Sequence, residues 1–475
     1  MQADFQHIVF LGIGGIGMSA LARYYQAQGV SISGYDRTET VLTHELTHEG
    51  MTIVYDYEEL IALCKLREPL DTAVVRTAAI HDTDPVYRYF VENGFRVMKR
   101  AELLGEVTRS KNALCVAGTH GKTTTTTMLA HIMHMSHLGG SAFLGGISNN
   151  YHTNLLIDDS DYVAVEADEY DRSFLHLRPY MSVITSIDPD HLDIYGDAAG
   201  YQQGFDDYAS LVEKAIIVKE GYSVHFRAGS EASKHCKVYT YAVESNTADF
   251  TAANTLQDIR LQVPIRTNIE DAVAAAAIAR LNGVTHDEIK AALESFNGVE
   301  RRFEVKLKTD NLVLIDDYAH HPTELQGSID NVHELFPHSR LIAVFQPHLY
   351  SRTRDFMDGF AEVLSQADEL LLLPIYPARE EPIEGVTSEA LSRLAAECNP
   401  KCHARVVEKK DLIGEIITTL GGAAGGSSVK ATPQSSGCKD AGSAATVVLM
   451  VGAGNISDLV EPVKTALVSQ IAKTE

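Results

Sequence analysis

Short apolar runs alternate with longer helical segments along the first hundred residues. HIVFLG (7–12) and VSISGYD (30–36) have the length and composition of strands, and the segment between them has a helical pattern. Three further runs, TIVY, AVVRT and FRVM, predict later strands. Strands that alternate with helices indicate a doubly wound α/β sheet with parallel strands. Charged residues replace this pattern near Glu106, so we predict a first domain over residues 1–107.

Two more α/β units follow along the chain. ALCVAG, YVAVE and SVITSI predict strands of a second domain over residues 108–297, whose last helix would be EDAVAAAAIARLNG. Asn268 is a suitable N-cap for that helix, and Gly283 is suited to end it. NLVLIDD, LIAVFQP, ELLLLPIY and TVVLMVGAG predict another parallel sheet in a third domain over residues 298–475. Within it, the Gly-, Ser- and Ala-rich residues 421–445 predict a surface loop.

Composition limits the classes of function. Of the 475 residues, 45% are hydrophobic and 22% are charged, which is typical of a globular protein with several cores. The 64 acidic and 40 basic residues give a formal net charge of −24. This excess argues against nucleic acid and anionic membranes as partners, because both require a basic surface. It does not exclude anionic small molecules, which respond to the local field of a pocket.

Targeting and redox features favour the cytoplasm. No apolar run approaches the roughly 20 residues that a membrane helix needs. The N-terminus MQADFQHIVF lacks the basic region of a secretory signal. The six cysteines are scattered without a C-x-x-C pair, so a disulfide framework is not expected. We therefore predict a reduced, cytoplasmic protein with no membrane insertion, and the sequence leaves its oligomeric state open.

A glycine-rich motif directly follows the first predicted strand. Its members are Gly12, Gly14, Gly15, Ile16 and Gly17. Glycines permit a tight turn and let backbone N–H groups approach a diphosphate at a helix N-terminus. Asp36 ends the second strand, where dinucleotide-binding folds place a ribose-binding acid. This is a full Rossmann fingerprint, and we favour binding of a nucleotide diphosphate over a turn that serves only helix–strand packing.

A second candidate phosphate loop follows the strand ALCVAG. It comprises Gly118, Thr119, His120, Gly121, Lys122, Thr123 and Thr124. In such loops successive N–H groups and a lysine hold anionic oxygens, and a hydroxyl binds Mg²⁺. Val116 stands where the general pattern has a glycine, so only the Gly-Lys-Thr core and its strand–helix context match. The five consecutive threonines disfavour a helix, because their χ1 angles are restricted, which indicates that the hydroxyls are used.

Acidic residues follow two later strands. Glu166, Asp168 and Glu169 close the run YVAVEADE, and His191 lies within DPDHLD after the next strand. Ligands of open α/β sheets bind at the carboxyl edge of parallel strands, and Mg²⁺ prefers oxygen ligands. His191 is either a metal ligand, a base or a surface side chain, and its position beside acids leaves these interpretations open.

Two further clusters follow predicted strands of the third domain. The segment DDYAHHP carries Asp317, and FQPHLYSRTR carries His348 and Arg352, while Arg301 and Arg302 precede both. Arginine can hold a carboxylate or phosphate through two parallel hydrogen bonds. For either cluster alone, solvated loop charges are the simpler interpretation.

Five segments occur in an order that resembles one known family. GTHGKTTTT, EADEYD with SFLHLRP, DPDHLDIYG, DDYAHHPTE and FQPHLYSRTRD resemble the Mur ligases of peptidoglycan synthesis over essentially the whole chain. The resemblance implies a three-domain α/β protein. Its N-terminal Rossmann-like domain would bind a UDP-sugar, its central sheet, like that of P-loop ATPases, would bind ATP, and its C-terminal Rossmann-like domain would bring in an amino acid. It also implies that residues 12–17 hold the diphosphate of UDP-N-acetylmuramate, not NAD.

The resemblance further implies roles for single residues. Lys122 would neutralise the β- and γ-phosphate oxygens of ATP within the loop of residues 118–124, and Thr123 would bind Mg²⁺. Glu166 and His191 would be ligands of a second Mg²⁺ ion. The other implied contacts are adenine for Asn268, the ATP ribose for Asp317, the γ-phosphate for Arg302, and the amino acid for His348 and Arg352. The implied catalytic set is Lys122, His191, Arg302, His348 and Arg352.

The implied reaction is ATP-dependent activation of a carboxylate. The lactyl carboxylate of UDP-N-acetylmuramate attacks the γ-phosphate, and the amine of L-alanine then displaces phosphate from the acyl phosphate. This transfer brings anions together, so Mg²⁺ and a lysine are needed to screen their repulsion. Domain closure would exclude the water that hydrolyses an acyl phosphate. The implied cofactors are ATP and Mg²⁺.

Three positions depart from the family pattern. Leu349 stands where some members have an arginine, which leaves Arg352 to hold the alanine carboxylate. The adenine helix begins TNIEDA instead of an HN…NA pattern, which weakens the assignment of Asn268. No lysine occurs between His191 and Lys214, so we expect no carbamylated lysine of the kind that several sister ligases use. In this respect the chain resembles the alanine-adding branch.

Three alternatives stay open. A tripeptide-recycling Mur ligase would act on the same UDP-sugar, but its segment after EADEYD is longer than the compact DRSFLHLRPY found here. An NAD-dependent oxidoreductase would match the first glycine motif, but it has no use for Lys122 or for the acids at residues 166–169. An ATP-driven regulatory protein would hydrolyse ATP without a UDP-sugar or an amino acid.

Overall fold

The chain forms two compact units, residues 1–299 and 300–475. The computed structural model describes residues 5–65, 67–77, 79–378, 380–421 and 446–472. The predicted surface loop lies, from residue 422 onwards, outside the described residues. Among the described helices, none combines the length and the apolar character needed to cross a membrane.

The first sheet of unit 1 is parallel throughout, as the sequence predicts. Its strands are β1 (His7–Leu11), β2 (Ser31–Tyr35), β3 (Thr52–Val54), β4 (Thr72–Arg76) and β5 (Arg96–Lys99), and its helices are α1 (Ile16–Ala27), α2 (Val41–His48), α3 (Tyr57–Cys64), α4 (Pro85–Glu92) and α5 (Arg100–Ser110). A 3-10 turn, Pro69–Asp71, precedes β4. The strand order is β3-β2-β1-β4-β5. The chain reverses direction across the sheet at β1, so the loop after β1 lies where such sheets bind ligands.

The second sheet of unit 1 has eight strands. They are β6 (Asn112–Ala117), β7 (Ser141–Ser148), β8 (Thr153–Leu156), β9 (Tyr162–Ala167), β10 (Met181–Ile184), β11 (Ala215–Lys219), β12 (Lys237–Ala242) and β13 (Phe250–Thr251). The helices are α6 (Lys122–Met135), α7 (Leu192–Tyr195), α8 (Ala198–Ala209), α9 (Ala232–His235), α10 (Ala252–Thr255), α11 (Arg266–Leu281) and α12 (His286–Glu294), with a 3-10 segment at Tyr170–His176. The order is β13-β12-β11-β10-β6-β9-β7-β8, and β7 and β8 pair antiparallel.

Two sequence predictions about the helices of this sheet are wrong. Helix α11 begins at Arg266 with Ile265 as its N-cap, so Asn268 lies within the first turn and caps nothing; its Nδ2 donates to Val263 O at 3.0 Å. A further helix, α12, follows α11. It begins with a capping box in which Thr285 and Glu288 satisfy each other's backbone N–H groups. That signature is visible in the sequence, and it was overlooked.

The sheet of unit 2 has six strands. They are β14 (Glu304–Lys308), β15 (Leu312–Asp317), β16 (Arg340–Phe345), β17 (Glu369–Leu372), β18 (His403–Val406) and β19 (Thr446–Val451). The helices are α13 (Pro322–Leu335), α14 (Tyr350–Asp355), α15 (Met357–Leu364), α16 (Ser388–Cys398), α17 (Leu412–Gly421) and α18 (Ser457–Ala472), with a 3-10 turn at Lys409–Asp411. The order is β14-β15-β19-β16-β17-β18. The four predicted strands are parallel, but β14 pairs antiparallel with β15 and was not predicted.

The two sheets of unit 1 share one apolar core. Phe10 and Tyr24 from the first sheet and its helix join Phe143 and Val165 from the second in one buried cluster. The ring centroids of Tyr24 and Phe143 are 5.2 Å apart. This packing places the loop after β1 near the carboxyl ends of β7 and β9. The predicted boundary at residue 107 and the roles of the separate domains stay predictions.

Candidate active site

The glycine loop after β1 is closed by its own acidic residue. Gly12 has a φ of +86°, and a Cβ at this position would lie 2.6 Å from Thr77 Cγ2, so both backbone and space require glycine. Gly14 N donates to Asp36 Oδ2 at 2.8 Å, and Thr38 N donates to Asp36 Oδ1 at 3.1 Å. Asp36 therefore holds the loop, whereas the sequence predicts that it binds a ligand.

The loop continues into α1, whose first turn carries no side-chain cap. Gly15 is the N-cap and has no side chain to cap the turn; its carbonyl accepts from Met18 N at 3.0 Å, which leaves the earlier first-turn N–H groups without a side-chain cap and suits an anion at this end. Ile16 is 42% exposed, and Asn154 Nδ2 donates to Ile16 O at 2.7 Å, which ties the loop to β8. The loop thus presents backbone donors while the second sheet fixes its position.

A cavity of about 310 Å³ joins the glycine loop to the acidic edge of the second sheet. Gly15–Gly17 line one side, Glu166 and Asp168 line another, and Arg100 from the start of α5 lies among them. Arg100 is a lining residue that the sequence analysis missed. A cation in the first turn of a helix opposes the helix dipole, and that unusual placement is the signal that could have found it.

Lys122 opens α6 and is held by groups of its own loop. Its Nζ donates to Gly118 O at 2.6 Å, to Thr119 O at 3.1 Å and to Glu169 Oε1 at 2.9 Å. Burial acts to lower the pKa of Lys122, but the charges of Glu169 and Glu166 outweigh it and raise that pKa above its ordinary value. Burial raises the pKa of Glu169 to about 7 against the attraction of Lys122. Glu169 is therefore the counter-ion of Lys122.

The rest of the Lys122 loop is fixed by the segments that follow β10 and open α11. Thr119 Oγ1 donates to Asp188 O at 2.8 Å, and His120 N donates to Ser186 Oγ at 2.9 Å. Gly121 has a φ of +80°, and a Cβ there would lie 2.8 Å from Asp271 Oδ1. Asp271, missed as a site residue, thus supports the loop from α11.

Most of the threonine run serves the protein interior. Thr125 Oγ1 donates to Asp271 Oδ1 at 2.9 Å, and Thr126 and Thr127 each donate to the carbonyl four residues earlier at 2.7 Å. All three are fully buried. The hydroxyls are used, as expected, but these three bind the helix and its neighbour, which leaves Thr123 and Thr124 in the first turn as candidates for ligand contact.

Glu166 and Thr123 lie against consecutive glycines of β7. A Cβ on Gly145 would lie 2.1 Å from Glu166 Oε2, and a Cβ on Gly146 would lie 3.2 Å from Thr123 Cγ2. Glu166 Oε2 is buried without a hydrogen-bond partner. An unpaired buried carboxylate oxygen is costly unless a cation neutralises it. This carboxylate fits Mg²⁺, which keeps several waters and needs few protein ligands.

His191 lies beside the Lys122–Glu169 pair. It has a φ of +51° and is the N-cap of α7. Its Nε2 is 4.0 Å from Glu169 Oε1 and 3.7 Å from Asp190 Oδ2. Across the described part of the chain, no three His, Cys, Asp or Glu side chains are grouped as a metal site. The role of His191 as a Mg²⁺ ligand stays a prediction.

In unit 2, Asp317 is engaged by the fold. Its Oδ1 accepts from Tyr318 N at 2.8 Å and from Phe303 N at 3.2 Å, and Ser328 Oγ donates to Oδ2. Burial raises the pKa of Asp317. The Arg302 guanidinium lies 5.1 Å from the centre of the Tyr318 ring. A ribose bound at Asp317, as predicted, would have to share the Asp317 carboxylate with these donors.

The last predicted cluster of unit 2 is assembled around an aromatic stack. The His348 ring is stacked on Tyr376 with centroids 5.5 Å apart and planes 18° apart. Arg352 Nη1 lies 3.5 Å from His348 Nδ1. Burial, and then the charge of Arg352, lower the pKa of His348 to about 4, so the ring is neutral at pH 7. Tyr376 follows β17 and was not predicted as a site residue, because the apolar run ELLLLPIY predicts a strand that includes it.

Comparison with known proteins covers nearly the whole chain. Residues 7–112 match the model described as Mur ligase family, catalytic domain, residues 116–279 match the Mur ligase middle domain, and residues 301–427 match the Mur ligase, glutamate ligase domain. The UDP-N-acetylmuramate–L-alanine ligase of Porphyromonas gingivalis is 45% identical, covering 97% of this chain and 99% of that protein. The ligase of the same name from Parabacteroides distasonis is 46% identical, covering 98% of each chain.

Solved structures share the fold. The crystal structure of the UDP-N-acetylmuramate–alanine ligase MurC from Thermotoga maritima has a TM-score of 0.73 at 24% identity and covers 98% of this chain and 99% of its own. A murein peptide ligase from Psychrobacter arcticus has a TM-score of 0.62 at 25% identity, covering 97% of this chain and 98% of its own. The three family matches and these full-length relatives show that the chain belongs to the Mur ligase family.

Proposed function

We propose that this chain is an ATP-dependent ligase that joins L-alanine to the lactyl carboxylate of UDP-N-acetylmuramate. The observation that carries the proposal is the cavity between the glycine loop and Glu166, because it joins the loop predicted to bind a diphosphate to the sheet edge beside which Lys122 opens α6. The printed names of the 45–46% identical relatives support L-alanine and UDP-N-acetylmuramate as substrates. Membership of the family decides against the oxidoreductase alternative.

The two loops of unit 1 would divide the nucleotide ligands. The backbone donors of Gly15–Gly17 would receive the UDP diphosphate, and the loop of residues 118–124 would receive the ATP phosphates. Family membership supports ATP as the energy source. Lys122 would exchange Glu169 for phosphate oxygens, since its ammonium is charged and lies at the first turn of α6. It would screen the repulsion between the lactyl carboxylate and the γ-phosphate.

Thr123 would hold one Mg²⁺, and Glu166 with His191 would hold a second. The fit rests on the buried, unpartnered Oε2 of Glu166. When bound, the ion supplies charge neutralisation at the transferring phosphoryl group. The protein's own part is to orient Glu166, which Gly145 permits by leaving room for the carboxylate.

The roles predicted for α11 and for unit 2 concern the remaining parts of ATP and the amino acid. Asn268 would contact adenine, Asp317 the ATP ribose and Arg302 the γ-phosphate. Arg352 would bind the alanine carboxylate, since Leu349 offers no charge there. His348, neutral at pH 7, can donate or accept a hydrogen bond at the amino-acid end.

The decisive experiment measures phosphate release as a function of the amino-acid substrate. The protein is given ATP, Mg²⁺ and UDP-N-acetylmuramate with either L-alanine or the tripeptide of the recycling reaction. We expect turnover with L-alanine and little without the UDP-sugar. Turnover with tripeptide alone would favour the recycling ligase, and ATP hydrolysis that needs neither substrate would favour a regulatory ATPase.

A further inference from the structure

The cavity beside the glycine loop has an unbalanced charge for an anionic ligand. Glu166 and Asp168 contribute two carboxylates to its wall, and among the described residues that line it Arg100 is the single basic side chain. A diphosphate would add further negative charge within a few ångströms of these acids. Because like charges repel strongly in a partly desolvated cavity, a diphosphate bound here needs a cation.

Two other cations near this cavity have close partners already. Lys122 is bound by Glu169 and two loop carbonyls, and Lys99 Nζ donates to Asp171 Oδ2 at 2.7 Å. Arg100 differs from both. Its Nη2 lies 3.8 Å from Asp168 Oδ2, which is beyond hydrogen-bond length, and within the described part of the chain its guanidinium makes no hydrogen bond. Five N–H donors therefore remain for a ligand.

The position of Arg100 on its helix is unfavourable for the helix itself. Arg100 is the first residue of α5, where the partial positive charge of the helix dipole disfavours a cation. The guanidinium is 32% exposed, so solvent reaches it while the cavity confines it. A residue that breaks a local rule without an evident structural gain is expected at functional sites.

Arg100 also lies against the third glycine of the loop. A Cβ on Gly17 would lie 3.0 Å from Arg100 Nη1 and 3.3 Å from its Cδ. Gly17 is the second residue of α1, whose first-turn N–H groups have no side-chain cap. The guanidinium and these backbone donors therefore face the same end of the cavity.

We propose that Arg100 binds the diphosphate of the UDP-sugar together with the first-turn N–H groups of α1. Asp168 is a positioning residue, because its carboxylate holds the guanidinium at the cavity wall without ending its capacity to donate. This inference rests on the proposed function, which supplies the UDP-sugar as the ligand.

The test is calorimetric binding of UDP-N-acetylmuramate, UDP and UMP to the full chain and to R100A, R100Q and R100K. We expect R100A and R100Q to bind UDP-N-acetylmuramate and UDP about 10- to 100-fold more weakly, as for the loss of a charge-assisted hydrogen bond. UMP, which lacks the second phosphate, should lose much less, and R100K should recover part of the affinity. R109A, at the exposed end of the same helix, is the matched control.

The outcomes separate this inference from the proposed function. Unchanged UDP affinity with lost UDP-N-acetylmuramate affinity would assign Arg100 to the lactyl carboxylate and overturn the diphosphate contact. Unchanged affinity for all three ligands would overturn the inference while the proposed function stands. A wild-type chain that binds neither UDP nor UDP-N-acetylmuramate would overturn the proposed function itself.

A double-mutant cycle tests the role of Asp168. D168N should raise the KM for UDP-N-acetylmuramate with little change in kcat, and R100A/D168N should be no worse than R100A, because Asp168 acts through Arg100. Losses that add in the double variant would show that Asp168 acts independently and would overturn its positioning role.

Discussion

The two glycine loops of unit 1 follow equivalent strands but are stabilised by opposite charges. The loop after β1 has no lysine, and the Asp36 carboxylate occupies the N–H of Gly14. The loop after β6 ends in Lys122, whose ammonium is bound by the Glu169 carboxylate. In the first loop the Asp36 carboxylate accepts a backbone hydrogen bond, and in the second the Glu169 carboxylate pairs with the Lys122 ammonium. The glycine pattern alone therefore predicts a turn, and the charged side chains beside the turn distinguish the two loops.

This contrast explains how an acidic protein can bind two nucleotides. The formal net charge is −24, yet Arg100 lines the cavity beside the first loop, and the second loop carries Lys122. The acids near these loops are partners: Glu169 for Lys122, and Asp168 for Arg100. Each of the first three substitutions below alters only one of the two loops.

The largest effect is expected from Lys122→Ala. Loss of the ammonium removes the charge that screens the transferring phosphoryl group, so kcat should fall by about 10³-fold. The affinity for UDP-N-acetylmuramate should be largely retained, since that ligand uses the other loop. Phosphate release and calorimetry measure the two quantities, with the exposed Lys237→Ala as control. An equal loss of UDP-sugar binding would contradict the division between the loops.

Gly145→Ala tests whether Glu166 is a Mg²⁺ ligand beside the second loop. Its Cβ would lie 2.1 Å from Glu166 Oε2, so the carboxylate must move. We expect kcat to fall by about 10- to 100-fold, as for loss of a ligand-orienting contact, and the Mg²⁺ concentration for half-maximal rate to rise. Gly414→Ala, in open space on α17, should be neutral. A Gly145→Ala variant with normal Mg²⁺ dependence would remove Glu166 from the metal site.

Asp36→Ala should weaken the first loop alone. It removes the acceptor of Gly14 N and Thr38 N, and the loss of such hydrogen bonds corresponds to about a tenfold rise in the KM for UDP-N-acetylmuramate. The KM for ATP should not change. Steady-state kinetics of both substrates measure this, with Glu92→Gln on the surface of α4 as control. A change confined to ATP would reverse the assignment of the two loops.

The smallest effect on turnover is expected from substitution of His131 on α6. This substitution should instead change how the free energy of unfolding depends on pH. Burial lowers the pKa of His131 to about 4, and its ring nitrogens lie 2.6 Å from Tyr151 Oη and 3.1 Å from Ser295 Oγ. In the unfolded chain the pKa of this histidine is near 6.5, so the unfolded chain takes up the proton at a higher pH than the folded chain does. The stability contribution is therefore complete above pH 6.5, and about 3 kcal/mol of it is lost as the pH falls to 4.

Denaturant unfolding between pH 4 and 7 checks this prediction. His131→Gln should unfold with a shallower pH dependence than wild type, while its turnover at pH 7 changes little. The exposed His235→Gln should keep the wild-type slope. Equal slopes for His131→Gln and wild type would show that His131 takes up its proton in the folded state too.

Much of the fold was readable because hydrophobic period and turn chemistry are local. The strands β1, β2, β6, β9, β15 and β16 appear within a residue or two of their predicted positions, since each is an apolar run flanked by a glycine, a proline or a polar turn. The antiparallel β14 was missed, since its residues EVKLK alternate with charges and are half-buried at a sheet edge. The SVITSI strand ends at Ile184, because the next residues turn to bind the Lys122 loop.

The site residues, like the strands, fall into those that the sequence indicates and those that it does not. The two loops and the acids of residues 166–169 were recognisable because phosphate and Mg²⁺ demand particular residue types in one short segment. Arg100, Asp271 and Tyr376 were not, because each acts across more than 20 residues of sequence. The ligand contact of Asp36 stays a prediction, and only the folded distance to Gly14 N shows that its carboxylate also holds the loop.

By itself the sequence determined the α/β class, the two glycine loops and the family, because these depend on the order and chemistry of short segments. Only the tertiary structure decided which charges meet. It brought Glu169 to Lys122, Asp168 to Arg100, and the glycine loop to the cavity that Glu166 lines. Electrostatic partnership depends on distances of a few ångströms between residues remote in the chain, and those distances are set by the packing of the two sheets of unit 1 around their shared core.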